Sequence, residues 1–471
     1  MADVTEFSPM GALDIAGLQD GFRGELLRPE DPGYEDARKV WNGSINRFPA
    51  LVARCAGVAD VIAAVKFAKD TGLLVAVRGG GHSFPGLSVC DGGIVIDLSL
   101  MKGIRVDPEA RTVRAQAGVL LGELDRETQV FGLAIPSGIV THTGVSGLTL
   151  GGGINWLQRK YGLAIDQLLS VDLITAEGEF VKASAQENPD LFWGVRGGGG
   201  NFGIVTEFEF RLNPVGPTVL AGPIFWPIEE APNVLRFYRE WISEAPDELM
   251  TIVSCRKAPP LSFVPKALHG KLVVGVLCCY AGAVEEGEKV VKPLKEFGSP
   301  VLDLCVPKPY LDHQAIFDPS FPHGRWYYLR SCDVAELPDE VIDITVDHSL
   351  RINSPLSTFV IWQLGGAVAR GGEDETAFGG RSAGHTFNIV GITETAEGFD
   401  EEREWVRNFW SALEPYHHTS VYVNFLMEEG EERIRQAYGT KKYDTLKALK
   451  RRYDPDNLFR LNQNIRPDVT V

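Results

Sequence analysis

The pattern of apolar and polar positions in residues 50–78 predicts a strand–helix–strand unit. Residues 50–54 and 74–78 form short apolar runs typical of strands, and residues 58–71 place apolar side chains at helical spacing. Alternating runs follow in "GIVIDLS", "GIRVDPEARTVRAQAG" and "LLSVDLITAEGEFVKAS", with turns at Asp107-Pro108-Glu109 and Glu177-Gly178. We therefore expect the first 210 residues to be a mixture of helix and sheet.

The pattern changes near residue 215. Beyond "FRLNPVGPTV" the strands become longer and the helices become long and charged, as in "IEEAPNVLRFYREWISEAPDE" and "GFDEEREWVRNFWSAL". The last fifty residues are again rich in asparagine and in turn-forming residues. We therefore expect a domain boundary at about residue 215 and a final segment that returns to the first domain.

Three glycine-rich segments lie in the first 210 residues: "RGGGHS", "GLTLGGGIN" and "VRGGGGNFGIVTEF". A backbone without Cβ atoms can bring several N–H groups onto one anion, so the segments suggest a pyrophosphate cradle. A simple glycine turn between strands is the alternative for any one of them. The spacing differs from the G-x-G-x-x-G of a Rossmann dinucleotide site, which disfavours an NAD-type dehydrogenase. Three such segments together favour one large ligand.

Charge and composition exclude several classes of partner. The 46 basic and 63 acidic residues give a net charge of −17, which disfavours nucleic acid and anionic membranes. We expect the basic run at residues 441–454 to be the solvated face of a helix. With no apolar run of bilayer length and no signal-peptide pattern at the start, we expect a cytoplasmic protein. The seven scattered cysteines lack a Cys-x-x-Cys pair, so we expect buried free thiols and no metal.

Four motifs, in this order, carry a resemblance to one flavoprotein family. They are "RGGGHS", "GVSGLTLGGGINWLQRKYGLAIDQLLSVDLITAEGE", "LFWGVRGGGGNFGIVTEFEF" and "YDPDNLFRLNQNIRP". Together the likeness extends from about residue 38 to residue 467. The chain resembles the berberine bridge enzyme-like branch of the vanillyl alcohol oxidase and p-cresol methylhydroxylase (PCMH) flavoproteins. The resemblance implies an FAD-linked oxidase.

The resemblance also implies a fold. It is an α+β fold with a two-part FAD-binding domain of the PCMH type, formed by residues 1–215 and 421–471. Residues 216–420 would form an inserted α/β substrate domain, whose antiparallel sheet is backed by helices and covers the flavin ring. A doubly wound parallel sheet in the first 210 residues would contradict this prediction. We expect a monomer or a homodimer.

By the same resemblance, His82 would bond covalently to the flavin 8α carbon while the glycines beside it cradle the pyrophosphate. Val140 stands where many relatives carry a second, cysteinyl tether, so a single covalent link is expected. Thr143 stands at the position that controls oxygen access, and its small side chain favours an oxidase. The residues expected to bind FAD are Arg78, Gly79, Gly80, Gly81, His82, Ser83, Gly86, Pro136, Gly138, Val140, Thr143, Gly144, Gly147, Gly152, Gly153, Val205, Asn462 and Asn464.

The resemblance does not supply a catalytic base. Plant relatives that oxidise alcohols use three tyrosines, whose places here are taken by Phe84, Ile154 and Phe425. The candidates that remain are Tyr422, Gln363, Tyr328, Arg330 and His142, although a tyrosine on a strand is more often a packing residue. Tyr422 is preferred because "VYVNF" begins the returning segment. On a strand, Tyr422 and Phe425 would face opposite sides, and Tyr422 would need a nearby cation such as Arg330 to act as a base.

Two functions follow as expectations. The first is an oxidase that transfers a hydride from a small organic substrate (an alcohol, a sugar or a secondary metabolite) to FAD, with dioxygen as acceptor and hydrogen peroxide as product. The second is a flavoprotein that oxidises or sequesters a reduced quinone-like or drug-like compound, which the three missing hydroxyl groups favour. Peroxide release with a panel of alcohols, sugars and amines would separate them.

Overall fold

A four-stranded sheet is built around the predicted strand–helix–strand unit. The structure, a computed structural model, describes residues 13–260 and 264–467, so residues 1–12 and 468–471 of the predicted FAD-binding domain lie outside the described residues. The sheet has the order β1-β2-β4-β3, with β2 and β3 both parallel to β4 and β1 antiparallel to β2. Its elements are α1 (Ala16–Gln19), β1 (Glu25–Leu27), α2 (Tyr34–Ala37), β2 (Leu51–Arg54), α3 (Val58–Thr71), β3 (Val75–Arg78) and β4 (Ile94–Asp97).

A five-stranded sheet follows, and all its neighbouring strands are antiparallel, in the order β5-β6-β10-β8-β9. This differs from a doubly wound parallel sheet, and both predicted turns lie between neighbouring strands. The elements are β5 (Ile104–Asp107), β6 (Thr112–Gln116), α4 (Leu121–Gln129), β7 (Leu133–Ala134), α5 (Val145–Gly151), α6 (Gln158–Tyr161), β8 (Leu168–Ile174), β9 (Phe180–Ser184), α7 (Pro189–Val195), β10 (Ile204–Arg211) and β11 (Asn213–Pro214), which pairs with β7.

The middle of the chain forms an eight-stranded antiparallel sheet. Its path is β15-β12-β14-β13-β18-β19-β17, with β16 paired to β12. Helices α8, α9, α11 and α13 share a hydrophobic core with one face of the sheet, because each has an apolar stripe to bury. The elements are β12 (Thr218–Pro227), α8 (Ala231–Ser243), β13 (Leu249–Lys257), β14 (Leu272–Tyr280), α9 (Val284–Lys295), β15 (Leu302–Asp303), β16 (Val306–Pro309), α10 (Tyr310–Gln314), β17 (Trp326–Val334), α11 (Asp339–Ser349), β18 (Thr358–Gln363), α12 (Ala367–Arg370), β19 (His385–Thr393) and α13 (Phe399–Leu413).

The C-terminal segment packs into the hydrophobic core of the N-terminal part. Side chains such as Leu426, Leu446 and Phe459 belong to the same buried cluster as side chains of β2, α3 and β10. The segment contains helices α14 (Glu431–Tyr438) and α15 (Thr440–Tyr453). Apart from Ala377, the chain therefore leaves this core near residue 212 and re-enters it near residue 421.

Helix α15 corrects one prediction. Its basic run was expected to be solvated, but Lys442 and Lys450 are buried. Nζ of Lys450 forms an ion pair with Asp454 at 2.7 Å and donates to the carbonyl oxygens of Asn201 and Phe459. Asp454 is four residues further along, at the end of the same helix, but helical spacing alone could not reveal the burial of Lys450, because the carbonyl groups of Asn201 and Phe459 lie outside the helix.

Two further sequence expectations concern the whole chain. All seven cysteines are buried and free, as predicted. Among the helices of residues 13–260 and 264–467, none combines the length and the apolar character needed to cross a bilayer.

Candidate active site

A cavity of about 320 Å³ is enclosed by the glycine-rich segments, the returning segment and strands β18 and β19. It is lined by many of the residues expected to bind FAD: Gly79, Gly80, Gly81, His82, Ser83, Gly138, Val140, Thr143, Gly144, Gly147, Val205 and Asn462. The glycine-rich segments are far apart in the sequence, and the fold brings them together around one cavity, as expected for a single large ligand.

The first glycine-rich segment and the turn at Gly144, three residues before the second segment, approach each other through their backbones. A Cβ atom at Gly80 would lie 2.3 Å from the backbone nitrogen of Gly144, and one at Gly144 would lie 2.3 Å from that of Gly80. Gly81 has a φ of +71°, which L side chains rarely adopt. The result is a cavity wall of bare backbone from two loops, the kind of surface that holds a pyrophosphate. The residues present therefore fit FAD.

Six of the residues expected to bind FAD do not line the cavity: Arg78, Gly86, Pro136, Gly152, Gly153 and Asn464. Arg78 is buried, forms an ion pair with Asp97 at 2.7 Å and donates to the carbonyl of Lys39. It joins the parallel strands β3 and β4 at their ends. A role of this residue in binding FAD remains a prediction.

His82 belongs to a cluster of three imidazoles. Its Nε2 lies 2.8 Å from Nδ1 of His142, and its Nδ1 lies 3.4 Å from Oγ1 of Thr143. The ring of His323 stands edge-on to His82, with centroids 5.6 Å apart. Burial lowers the pKa of His82 well below its usual range, and the imidazoles of His142 and His323 lower it further. Burial also lowers the pKa of His142 and that of His323, so all three rings are neutral at neutral pH.

Trp41 and Asn42 hold the His82 loop against the middle sheet, and sequence reasoning missed both. The indole of Trp41 stacks on His82 at 5.0 Å and on Tyr327 of β17 at 3.8 Å. Nδ2 of the buried Asn42 donates to the carbonyls of Phe84 and Tyr327. These contacts fix the imidazole relative to the substrate side of the cavity. Trp41 lies in no motif, and Asn42 lies only in an Asn-Gly-Ser glycosylation sequon, so the sequence offered no signal for this packing role.

The loop that carries Gly138 is held from behind by a buried carboxyl group. Asp125 on α4 accepts hydrogen bonds from Oγ of Ser137 at 3.3 Å and from Nε2 of Gln314 at 2.8 Å. Nε2 of Gln314 also lies 3.3 Å from the carbonyl of Gly138. Burial raises the pKa of Asp125 to about 7, although both hydrogen bonds act to lower it. This carboxyl group connects a cavity loop to helix α10 of the middle part.

Tyr422 and Phe425 both line the cavity. The prediction that they face opposite sides of a strand is wrong, because residues Val423–Phe425 form a turn of 3₁₀ helix. The two rings meet edge to face, with centroids 4.7 Å apart. The Tyr422 hydroxyl accepts hydrogen bonds from the backbone N–H of Gly153 at 3.0 Å and from Nδ2 of Asn424 at 2.9 Å. Burial raises the pKa of Tyr422, so it is a neutral phenol at neutral pH.

The other proposed catalytic side chains do not line the cavity. Tyr328 belongs to the core between the eight-stranded sheet and its helices. Its hydroxyl accepts from Nε of Arg330 and from Nε of Arg407. Oε1 of Gln363 accepts from Thr251. Arg330 itself pairs with Glu429, so the cation invoked to make Tyr422 a base has another partner.

Most side chains on the substrate side of the cavity are apolar, and the polar groups there are the hydroxyl of Tyr422, the indole N–H of Trp362 and one amide. Asn388 of β19 lines it, and Oδ1 of Asn388 has no hydrogen-bond partner among the described residues. Sequence reasoning missed this residue, because one asparagine in an alternating strand resembles any solvent-facing position. The apolar and aromatic side chains that line the same cavity are those of Phe84, Ile154, Phe317, Phe321, Val360, Trp362 and Phe425.

Comparison with known proteins agrees with this arrangement. Residues 49–184 match a family described as an FAD binding domain, and residues 421–466 match one described as berberine and berberine like. An FAD-linked oxidoreductase of Dictyostelium discoideum is 34% identical over 97% of this chain and 98% of its own. The (R)-6-hydroxynicotine oxidase of Paenarthrobacter nicotinovorans is 31% identical over 95% of this chain and 97% of its own.

A solved structure gives the same result for the fold. The 6-hydroxy-D-nicotine oxidase from Arthrobacter nicotinovorans superposes with a TM-score of 0.87 and 30% identity, covering 95% of this chain and 98% of that one. Fold and site together define an FAD-linked oxidoreductase. The chain belongs to the berberine bridge enzyme-like family of PCMH-type FAD oxidases, and the predicted α+β fold is confirmed.

Proposed function

We propose that this enzyme oxidises a small, largely apolar aromatic substrate, passing a hydride to FAD and using dioxygen as the final acceptor, with hydrogen peroxide as product. The observation that carries the proposal is the substrate side of the cavity, where aromatic side chains outnumber the few polar groups, among them the amide of Asn388 and the hydroxyl of Tyr422. A sugar presents several hydroxyl groups that need partners when they are buried. This wall provides too few of them, so an oligosaccharide is disfavoured.

We propose that FAD is linked through His82 alone. His82 lines the cavity with a neutral ring, and Val140, at the position of the second tether in relatives, has no sulfur. When bound, FAD supplies the acceptor for the hydride and the reaction with dioxygen. Thr143 also lines the cavity, and its small side chain leaves room for dioxygen.

The surroundings of Tyr422 favour a substrate that needs no protein base. The Tyr422 hydroxyl already accepts two N–H donors, so its own hydrogen is left to donate to a group in the cavity. An amine with a free lone pair can release a hydride from the carbon next to its nitrogen, and an ionised phenol can release one from a carbon attached to its ring, without losing a proton to the enzyme. Tyr422 would then orient the substrate by donating a hydrogen bond, while Asn388 binds a second polar group of the same molecule.

A substrate panel tests the proposal. An aromatic amine, a hydroquinone and an oligosaccharide are each mixed with the air-saturated enzyme, and peroxide release and flavin bleaching are followed. We expect turnover with at least one of the first two compounds and none with the oligosaccharide. Efficient oxidation of the oligosaccharide alone would refute the proposal, and binding of an aromatic compound without bleaching would favour sequestration.

The role of Asn388 is tested by replacement with leucine, which has a similar volume and no polar atoms. We expect Asn388→Leu to lower kcat/KM about 5- to 150-fold, which corresponds to the loss of one buried hydrogen bond of about 1–3 kcal/mol. Asn233→Leu, on the exposed side of α8, is the matched control and should leave kcat/KM unchanged. Equal kcat/KM in both variants would show that the amide does not touch the substrate.

A further inference from the structure

The two ring nitrogens of His82 have different neighbours. Nε2 lies 2.8 Å from Nδ1 of His142, a distance that requires a hydrogen between them. Nδ1 is on the side of Thr143, which lines the cavity, and the 3.4 Å separation there is long for a hydrogen bond. One nitrogen of His82 is therefore engaged by a second imidazole, and the other is available to a group in the cavity.

We propose that His142 is the proton acceptor for the formation of the covalent bond between His82 and FAD. The inference rests on the proposed link through His82 and adds a residue to the chemistry that makes it. None of the motifs that resemble the family assigns this role to position 142.

The chemistry requires such an acceptor. In the link, Nδ1 of His82 bonds to the flavin 8α carbon, one C–H bond of that carbon breaks, and the N–H bond of His82 breaks. Both hydrogens leave as protons, and the electron pair of the C–H bond enters the flavin ring. Dioxygen then removes that pair and takes up two protons to give hydrogen peroxide. The flavin returns to its oxidised state and remains attached to the protein.

The geometry specifies where the proton of His82 goes. For Nδ1 to react through its lone pair, the ring hydrogen must be on Nε2, from which it is donated to Nδ1 of His142. Bond formation makes the His82 ring cationic, and burial together with the two neighbouring imidazoles disfavours that charge. The hydroxyl of Thr143 is far too weak a base to relieve it. His142 is partly exposed, so it can pass the proton on to solvent.

The hydrogen bond must reverse once the link is made. Linked His82 carries carbon on Nδ1 and no hydrogen on Nε2, so that nitrogen can only accept. His142 must then donate from its own Nδ1, which fixes its tautomer. Before the link forms, the hydrogen bond donated by His82 to His142 assists the reaction. After the link forms, the hydrogen bond donated by His142 to His82 stabilises the product.

The test measures attachment of flavin rather than turnover. The full chain, produced in a riboflavin-starved host, is mixed with saturating FAD, quenched with acid at intervals, and the yellow colour of the precipitate is recorded. We expect His142→Ala to slow attachment roughly 10²-fold, as is typical for the loss of a general base. Added imidazole should restore much of the rate in this variant and leave the wild-type rate unchanged.

Two further variants separate proton transfer from packing. His142→Gln keeps a hydrogen-bonding side chain without a basic nitrogen, and we expect it to be as slow as His142→Ala. His269→Gln replaces a histidine between β13 and β14, outside the cluster, where the ring contacts the carbonyl of Val264, so it should attach flavin at the wild-type rate. Quenching of flavin fluorescence confirms that each protein binds FAD.

The failures are distinguishable. If the wild-type chain never acquires covalent flavin, or if the His82→Ala variant also acquires it, the proposed link is wrong and this inference is wrong with it. If the wild type attaches flavin and His142→Ala does so equally fast, only the role of His142 is refuted. A slow His142→Ala that imidazole does not rescue, together with a fast His142→Gln, would show a packing role and overturn the proposal.

Discussion

Replacing Asp125 with asparagine should change how the stability of the protein depends on pH. The carboxyl group is fully buried between α4 and α10, and its pKa of about 7 lies above the 3.8 of an unperturbed aspartate. Between these two values the folded state holds a proton that the unfolded chain has released. Stability from this group is therefore lost as the pH rises through this window, and the loss is complete above pH 7.

The magnitude follows from the width of the window. Each unit of pKa shift corresponds to about 1.4 kcal/mol, so the full shift corresponds to about 4 kcal/mol, and the part between pH 5 and pH 7 to about 3 kcal/mol. Asparagine cannot ionise; its carbonyl oxygen can accept from Nε2 of Gln314, and its NH2 group, on the side of Ser137, can donate to the Ser137 hydroxyl oxygen. When the pH is raised from 5 to 8, we therefore expect the free energy of unfolding of Asp125→Asn to rise by about 3 kcal/mol relative to that of the wild type.

Urea unfolding followed by tryptophan fluorescence at pH 5 and at pH 8 measures this difference. Comparing the two proteins at each pH cancels the titration of all the groups that they share. Asp312→Asn, an exposed carboxyl on the same helix α10, is the matched control and should show no divergence. If Asp125→Asn and the wild type lose stability in parallel between pH 5 and pH 8, Asp125 is already ionised in the folded protein and the reasoning is refuted.

Three other predictions concern the cofactor and the core. Gly80→Ala places a Cβ 2.3 Å from a backbone nitrogen and should abolish FAD retention, measured as flavin per chain, while Gly57→Ala, in open space, should retain it. Lys450→Met leaves the buried Asp454 unpaired and should cost about 3–5 kcal/mol of unfolding free energy, against less than about 1 kcal/mol for the exposed Lys441→Met. Tyr422→Phe should lower the free energy of unfolding by about 1–3 kcal/mol, because two N–H donors lose their acceptor. The rate of flavin reduction by an amine should stay within ~10-fold of the wild-type rate, whereas a loss of ~10²-fold or more would show that Tyr422 is the base.

Local patterns predicted the parts of the fold that local physics determines. The strand–helix–strand unit was placed within one residue, because its apolar spacing and its glycine ends belong to one continuous segment. The first glycine-rich segment was recognised in the sequence as three consecutive glycines, and the structure shows why they are needed, since only residues without a Cβ atom permit the contact between Gly80 and Gly144. His82 was predicted as the covalent link from the family resemblance; the structure places it in the wall of the cavity, and the link itself stays a prediction.

The substrate side could not be predicted in this way. Asn388 is significant only because distant aromatic residues surround it, and Trp41 only because His82 and Tyr327 stack on its two faces. A period-2 interpretation of "VYVNF" failed because a 3₁₀ turn brings Tyr422 and Phe425 to the same cavity. Such contacts depend on sequence separations of tens to hundreds of residues, over which local patterning carries no information.

The shared core of the N-terminal and C-terminal segments also sets an order of events during synthesis. The apolar side chains of β2, α3 and β10 leave the ribosome long before Leu446 and Phe459, which complete their cluster. At about 5–20 residues per second, the two hundred residues in between take roughly 10–40 s to make. The middle sheet can form during that interval, since its hydrophobic core is drawn from residues 220–413. The nascent N-terminal part must meanwhile keep an incomplete core from aggregating, so a chain cut short before the last segment should be insoluble even though every glycine-rich segment is present.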